Sequence, residues 1–181
     1  TGSWNNVAIL YDISMSPPTI KHYLNHHTDS VYSVAFHANL SFFATCSFDY
    51  YTFMYDISGL LPIIKYRLKH YTRCVRSIAF HAVFPLFATG LHDSSTIIYD
   101  ICTSPPTVQH HLKHHTNKIR SVAFHPISLF FATGSADSSI ILYDISICPA
   151  IIKHHLKHHT KSVFSIAFHP NFPLFVTGSA D

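Results

Sequence analysis

An all-β fold made of repeated four-stranded antiparallel sheets is what this sequence predicts, on three observations. The chain repeats itself every 44 residues. Each period carries short runs of β-branched and aromatic residues separated by turn residues, the local signature of strands. Composition agrees: 48% of the 181 residues are hydrophobic, 14% aromatic and only 12% charged, where an ordinary globular chain carries about 25% charged residues.

The repeat comes first, because a fixed period constrains architecture before any single residue does. Ser-Val-Ala-Phe-His at 33–37 returns as Ser-Ile-Ala-Phe-His at 77–81, Ser-Val-Ala-Phe-His at 121–125 and Ser-Ile-Ala-Phe-His at 165–169. Tyr-Asp returns at 11–12, 55–56, 99–100 and 143–144, and Thr at 1, 45, 89, 133 and 177. We take 1–181 as one repeat region with register 1–44, 45–88, 89–132 and 133–176, and the start of a further unit at 177–181.

Within one unit, segments 31–36, 42–47 and 51–57 are rich in Val, Ile, Phe, Tyr and Thr and read as strands. A fourth strand is expected at 19–24, Thr-Ile-Lys-His-Tyr-Leu, because the preceding Pro17-Pro18 breaks a helix. One such sheet cannot cover both of its apolar faces and must stack on copies of itself. With four strands in each unit of this length, the expected array is a β-propeller, each unit a blade of a larger ring of about seven or eight. Four units fall short of that number. The expectation is therefore a piece of a longer chain, or half of an eight-bladed ring completed by a second copy.

At this point the motifs resemble those of the WD-repeat family. Its pattern places Gly-His ahead of the first strand of a blade, Asp in the turn between the second and third strands, and Trp-Asp at the end of the third. This chain has His26-His27, Asp49 and Tyr55-Asp56 there, then His70-Tyr71, Asp93 and Tyr99-Asp100, then His114-His115, Asp137 and Tyr143-Asp144, and finally His158-His159 and Asp181. Tyr replaces every family Trp, and it still fills an aromatic slot while offering a hydroxyl. The resemblance implies a hydrogen-bonded set in each blade: His27, Thr45, Asp49 and Tyr55; Thr89, Asp93 and Tyr99; His115, Thr133, Asp137 and Tyr143; His159, Thr177 and Asp181. Weaker sets are expected where Tyr71 stands in place of His and where Asn5 stands in place of Asp.

The resemblance further implies a protein-interaction scaffold without catalysis, docking partners on the face where the first strands begin. The expected partner-binding residues are Trp4, Tyr32, Phe48, Arg76, His92, Lys118, Arg120 and Phe164, where the repeat is least regular. Aromatic and Arg side chains dominate binding hot spots. The alternatives are a self-assembling shell or filament component, with self-association completing the ring, and a nucleic-acid-binding propeller. For the last, Lys65, Arg67, Lys69, Arg73 and Arg76 with Tyr66 and Tyr71 form only a modest basic stretch, and the net charge is just +3.

Other chemistry is poorly provisioned. Eight of nine acidic residues, all Asp, occupy two repeated positions, which leaves Asp29 as the single carboxylate outside the pattern. No catalytic residue is assigned. The tracts 110–115 and 154–159 are His-rich, but adjacent residues on a strand point to opposite faces, so no metal or cofactor is expected. His37, His81, His125 and His169 are expected in a repeated turn role. Seventeen His also predict solubility and assembly that change between about pH 5 and 7. Cys46, Cys74, Cys102 and Cys148 follow no metal or disulfide spacing. With neither an apolar run of membrane length nor a leader-like start, an intracellular protein, cytoplasmic or nuclear, is expected.

Overall fold

The computed structural model describes residues 2–14, 16–70 and 74–181. All regular elements among them are strands, and every pairing is antiparallel. A leading half-blade pairs β1 (Ala8–Asp12) with β2 (Thr19–Leu24). The first full blade is β3 (Val31–Phe36), β4 (Phe42–Ser47), β5 (Tyr51–Asp56) and β6 (Ile63–Lys69). The second is β7 (Val75–Phe80), β8 (Leu86–Leu91), β9 (Thr96–Asp100) and β10 (Thr107–Leu112). The third is β11 (Ile119–Phe124), β12 (Phe130–Ser135), β13 (Ile140–Asp144) and β14 (Ile151–Leu156), and a trailing half-blade pairs β15 (Val163–Phe168) with β16 (Phe175–Ser179).

These strands match the four segments expected from the sequence to within a residue. The first strands of the full blades begin at 31, 75 and 119. β3, β7, β11 and β15 pack side by side, so the first strand of each blade is innermost.

Burial explains the residue types. The second strand of each blade has sheet neighbours on both edges and other blades across both faces; β8 is buried at every position and reads Leu-Phe-Ala-Thr-Gly-Leu. The fourth strand is outermost, and β6 alternates exposed and half-buried along Ile-Ile-Lys-Tyr-Arg-Leu-Lys. The core lies between blades. Ala44, Cys46 and Met54 of the first blade meet Val75, Ile78 and Phe87 of the second. Leu86, Ile98 and Leu112 of the second meet Ile119, Phe131 and Tyr143 of the third.

Two small-residue devices bring the blades together. Gly90 and Gly134 leave room for the next blade: a Cβ on Gly90 would stand 2.6 Å from Ile119 Cγ2, and one on Gly134 2.8 Å from Val163 Cγ1. The serine of the repeated phrase spans the same junction. Ser33 Oγ accepts from Ile78 N at 3.4 Å, Ser77 Oγ from Val122 N at 3.1 Å and Ser121 Oγ from Ile166 N at 3.0 Å.

Candidate functional site

Each turn between the second and third strands puts a non-glycine residue in the left-handed region: Tyr50 at φ 72°, Ser94 at 72° and Ser138 at 71°. The Asp just before it holds that conformation. Asp49 Oδ1 accepts from Tyr51 N at 2.9 Å, Asp93 Oδ1 from Ser95 N at 3.1 Å and Asp137 Oδ1 from Ser139 N at 2.9 Å.

The other oxygen of Asp49 faces His27 Nδ1 at 2.8 Å and Thr28 N at 2.9 Å, while His27 Nε2 lies 2.8 Å from Thr45 Oγ1. Nδ1–H can donate to the carboxylate while Nε2 meets the threonine hydroxyl, which can serve as donor or acceptor there. The Tyr55 hydroxyl approaches Thr45 and lies 3.1 Å from His26 Nδ1. The third blade repeats this with His115 2.9 Å from Asp137 and 2.8 Å from Thr133, and Tyr143 near Thr133 and His114. His159 stands 3.0 Å from Asp181 and 2.9 Å from Thr177 in the trailing half-blade.

Electrostatics follow from that geometry. Burial works against charge on Asp49 and Asp137, but the hydrogen bonds outweigh it and hold both carboxyls below the usual range. Burial pushes the Tyr55, Tyr99 and Tyr143 phenols up to about 12. Thr, His and Asp here are in the order of a hydrolase triad. Thr45 is nevertheless fully buried and faces the Tyr55 hydroxyl, so no substrate carbonyl can reach it. The set ties the third strand, the second strand, the incoming loop and the turn into one unit.

The second blade departs from this pattern. Tyr71 lies outside the described residues, as do Arg73 and the repeat position Thr1. His70 turns to the preceding blade instead, with Nε2 3.2 Å from Thr52 Oγ1. Thr89 Oγ1 is buried with no partner in good hydrogen-bond geometry among the described residues, although the Tyr99 hydroxyl approaches it. Asn5, at the Asp position of the leading half-blade, binds Ser3 Oγ through its backbone N–H at 3.1 Å.

The same turns and loops form one end of the array. Phe48 N donates to Ser30 O at 3.0 Å, His92 N to Cys74 O at 3.0 Å and Ala136 N to Lys118 O at 2.9 Å, which fixes each turn beside the start of its first strand. A β-bulge follows in every inner strand, between Val31 and Ser33, Val75 and Ser77, Ile119 and Ser121, and Val163 and Ser165. The bulged residues are Tyr32, Arg76, Arg120 and Phe164. A bulge takes a residue out of the ladder and re-aims its side chain, and here it produces a row across four adjacent strands. The Arg76 guanidinium sits 4.9 Å over the Tyr32 ring and that of Arg120 4.8 Å over the Phe164 ring. Phe48 packs on Tyr32 with ring centroids 6.0 Å apart. Lys118 is half-buried near both arginines, and His92 is half-buried on the neighbouring turn. Trp4 is 83% exposed on the leading half-blade and makes no ring contact with this row among the described residues.

The remaining candidates disperse. Nδ1 of His37, His81, His125 and His169 accepts two backbone N–H groups each, at 3.0–3.2 Å, in the turn after the inner strand, at the opposite end from the arginines. The His-rich tracts lie along β10 and β14, and no group of three or more His, Cys or Asp able to hold a metal occurs among the described residues. The basic stretch is split. Lys65, Arg67 and Lys69 lie on outer β6 over Phe42, Phe53 and Tyr51, while Arg76 belongs to the inner row. No disulfide joins the four cysteines; Cys46 and Cys74 are buried, Cys102 and Cys148 exposed. Among the described residues no helix is long and apolar enough to cross a membrane.

Two roles escaped the sequence reading. The serines at 33, 77 and 121 join blades, and His26 and His114 meet the Tyr hydroxyls. Both signals were present as fixed repeat positions, but only a fold says what stands opposite them.

Comparison with known families gives a match to the family described as WD domain, G-beta repeat, over residues 18–56, 106–144 and 151–181, together more than half of the chain. The stretch between the first two matches contains the departures of the second blade. No curated protein matches the chain.

Proposed function

Because the chain belongs to the WD-repeat family, whose members are generally protein-interaction scaffolds, we propose that it is a non-catalytic adaptor that docks partner proteins on the loop face. The observation that carries this reading is the row Tyr32, Arg76, Arg120 and Phe164, raised by four successive bulges. Phe48, His92, Lys118 and Trp4 extend the same face. The Thr-His-Asp-Tyr sets hold the loops in place and do not themselves contact the partner. Free thiols that are partly buried fit a reducing compartment, and we place the protein in the cytoplasm or nucleus. The test is affinity capture with the wild-type chain and with Arg76→Ala/Arg120→Ala. Partners that bind only the wild type support the face; partners that bind both equally refute it.

A further inference from the structure

We propose that the paired Arg76 and Arg120 guanidinium groups, with Lys118 beside them, bind an acidic segment of a partner protein, neighbouring Asp or Glu carboxylates seating on the two forks. This rests on reading the loop face as the docking surface and adds the chemistry of what docks.

Three observations carry it. First, the two arginines are neighbours, on inner strands β7 and β11 that pack side by side. Burial first, and then the charge of Arg76, disfavours the charged form of Arg120, and burial with both arginines does the same to Lys118. Holding three like charges together is unfavourable unless an anion joins them.

Second, nothing described in the protein supplies that anion. The Nε atoms of Arg76 and Arg120 are buried and meet no acceptor among the described residues. The described carboxylates at this end are engaged elsewhere: Asp49 by His27, Thr28 N and Tyr51 N, Asp93 by Ser95, Asp137 by His115, Thr116 N and Ser139, Asp181 by His159 and Thr160 N, while Asp29 accepts from Ser30 N at 2.6 Å. The lysine–carboxylate pairs of the described residues, Lys65–Asp56 and Lys153–Asp144, lie on the outer strands. Buried Nε is itself out of a ligand's reach, so a carboxylate would seat on the terminal N–H groups of each half-buried side chain.

Third, the guanidinium planes are pre-set. Stacking on Tyr32 and Phe164 fixes the orientation of each plane and leaves its N–H edge for bidentate contact with a carboxylate. Tyr32, Phe48 and Phe164 are 37%, 37% and 49% exposed and offer apolar contact to residues between the acids. A nucleic acid would require a longer cationic track. The other described cations of the second sequence period, Lys65, Arg67 and Lys69, stack on their own blade's rings instead of extending the row.

The test is to pan a random dodecapeptide phage library on the 181-residue chain, with Arg76→Gln/Arg120→Gln as the counter-selecting protein. Selected peptides and their Asp→Asn, Glu→Gln versions are then titrated by fluorescence anisotropy. Expected are peptides with two or more carboxylates within a few residues, whose Kd weakens at least tenfold on amidation, in the double variant, and between low and high salt. Lys118→Gln, at the rim, weakens binding several-fold and guards against a double variant that fails to fold. Lys153→Gln, on the outer strand, leaves binding unchanged. Selected peptides that lack carboxylates yet lose binding in the double variant overturn the acidic partner and leave the docking face standing. Peptides that bind wild type and variants equally, or no selectable peptide at all, overturn both.

Discussion

His70 should make the protein acid-sensitive, by an amount that its surroundings set. The side chain is 3% exposed, its Nε2 has only the Thr52 hydroxyl at 3.2 Å, and its Nδ1 is buried without a partner among the described residues. Burial lowers its pKa from 6.5 to about 4, against a weaker opposing pull from Asp93. A lowered histidine pKa means that the unfolded chain takes up the proton first. Stability is therefore intact above pH 6.5 and lost as pH falls from 6.5 toward 4. Linkage over that interval amounts to about 2 kcal/mol at pH 5 and about 3 kcal/mol at pH 4 from this one residue. Burial also lowers His37, His81, His110 and His115, so the whole protein loses more than this share, in the same direction. Asp49 and Asp137 act only below the ordinary carboxylate range and leave the window to the histidines. The perturbation is His70→Gln, which removes the titrating group; the assay is urea unfolding followed by far-UV circular dichroism at pH 7, 6 and 5. The variant should begin less stable at pH 7 through lost packing and then close the gap by about 2 kcal/mol at pH 5. A gap that stays constant from pH 7 to pH 5 refutes the reasoning.

Three further outcomes follow from the geometry. Thr133→Val strands His115 Nε2 and should cost about 1–3 kcal/mol in urea unfolding, whereas Thr89→Val removes a hydroxyl with no hydrogen-bond partner among the described residues and should be neutral or stabilising. Gly90→Ala drives a methyl into Ile119 and should destabilise by roughly 1–3 kcal/mol; an unchanged melting temperature would mean that the second and third blades are not so closely packed. Tyr50→Gly relieves a left-handed tyrosine whose ring is 47% exposed, and should raise stability by up to about 1 kcal/mol in the same assay.

Much was legible in the sequence because the repeat states it four times over. Strand positions follow from β-branched and aromatic runs between turns, and Tyr-Asp marks the end of each third strand. His27, Thr45 and Asp49 were legible as a set only through the family resemblance, since their separations along the chain carry no geometry. The second blade was readable as an exception from Tyr71, but not the way His70 turns to Thr52 of its neighbour.

By itself, the sequence determined the period, the strands within it and the residue types at each repeated position, because these depend on local pattern and on which face must be buried. Tertiary structure alone decided two things: which small residues let blades approach, and which side chains gather at the loop end. Tyr32, Arg76, Arg120 and Phe164 lie 44 residues apart in the chain. They become a row only because four inner strands pack side by side and each bulges at the same place, and contacts that join separate repeats leave no trace in the spacing inside any one of them.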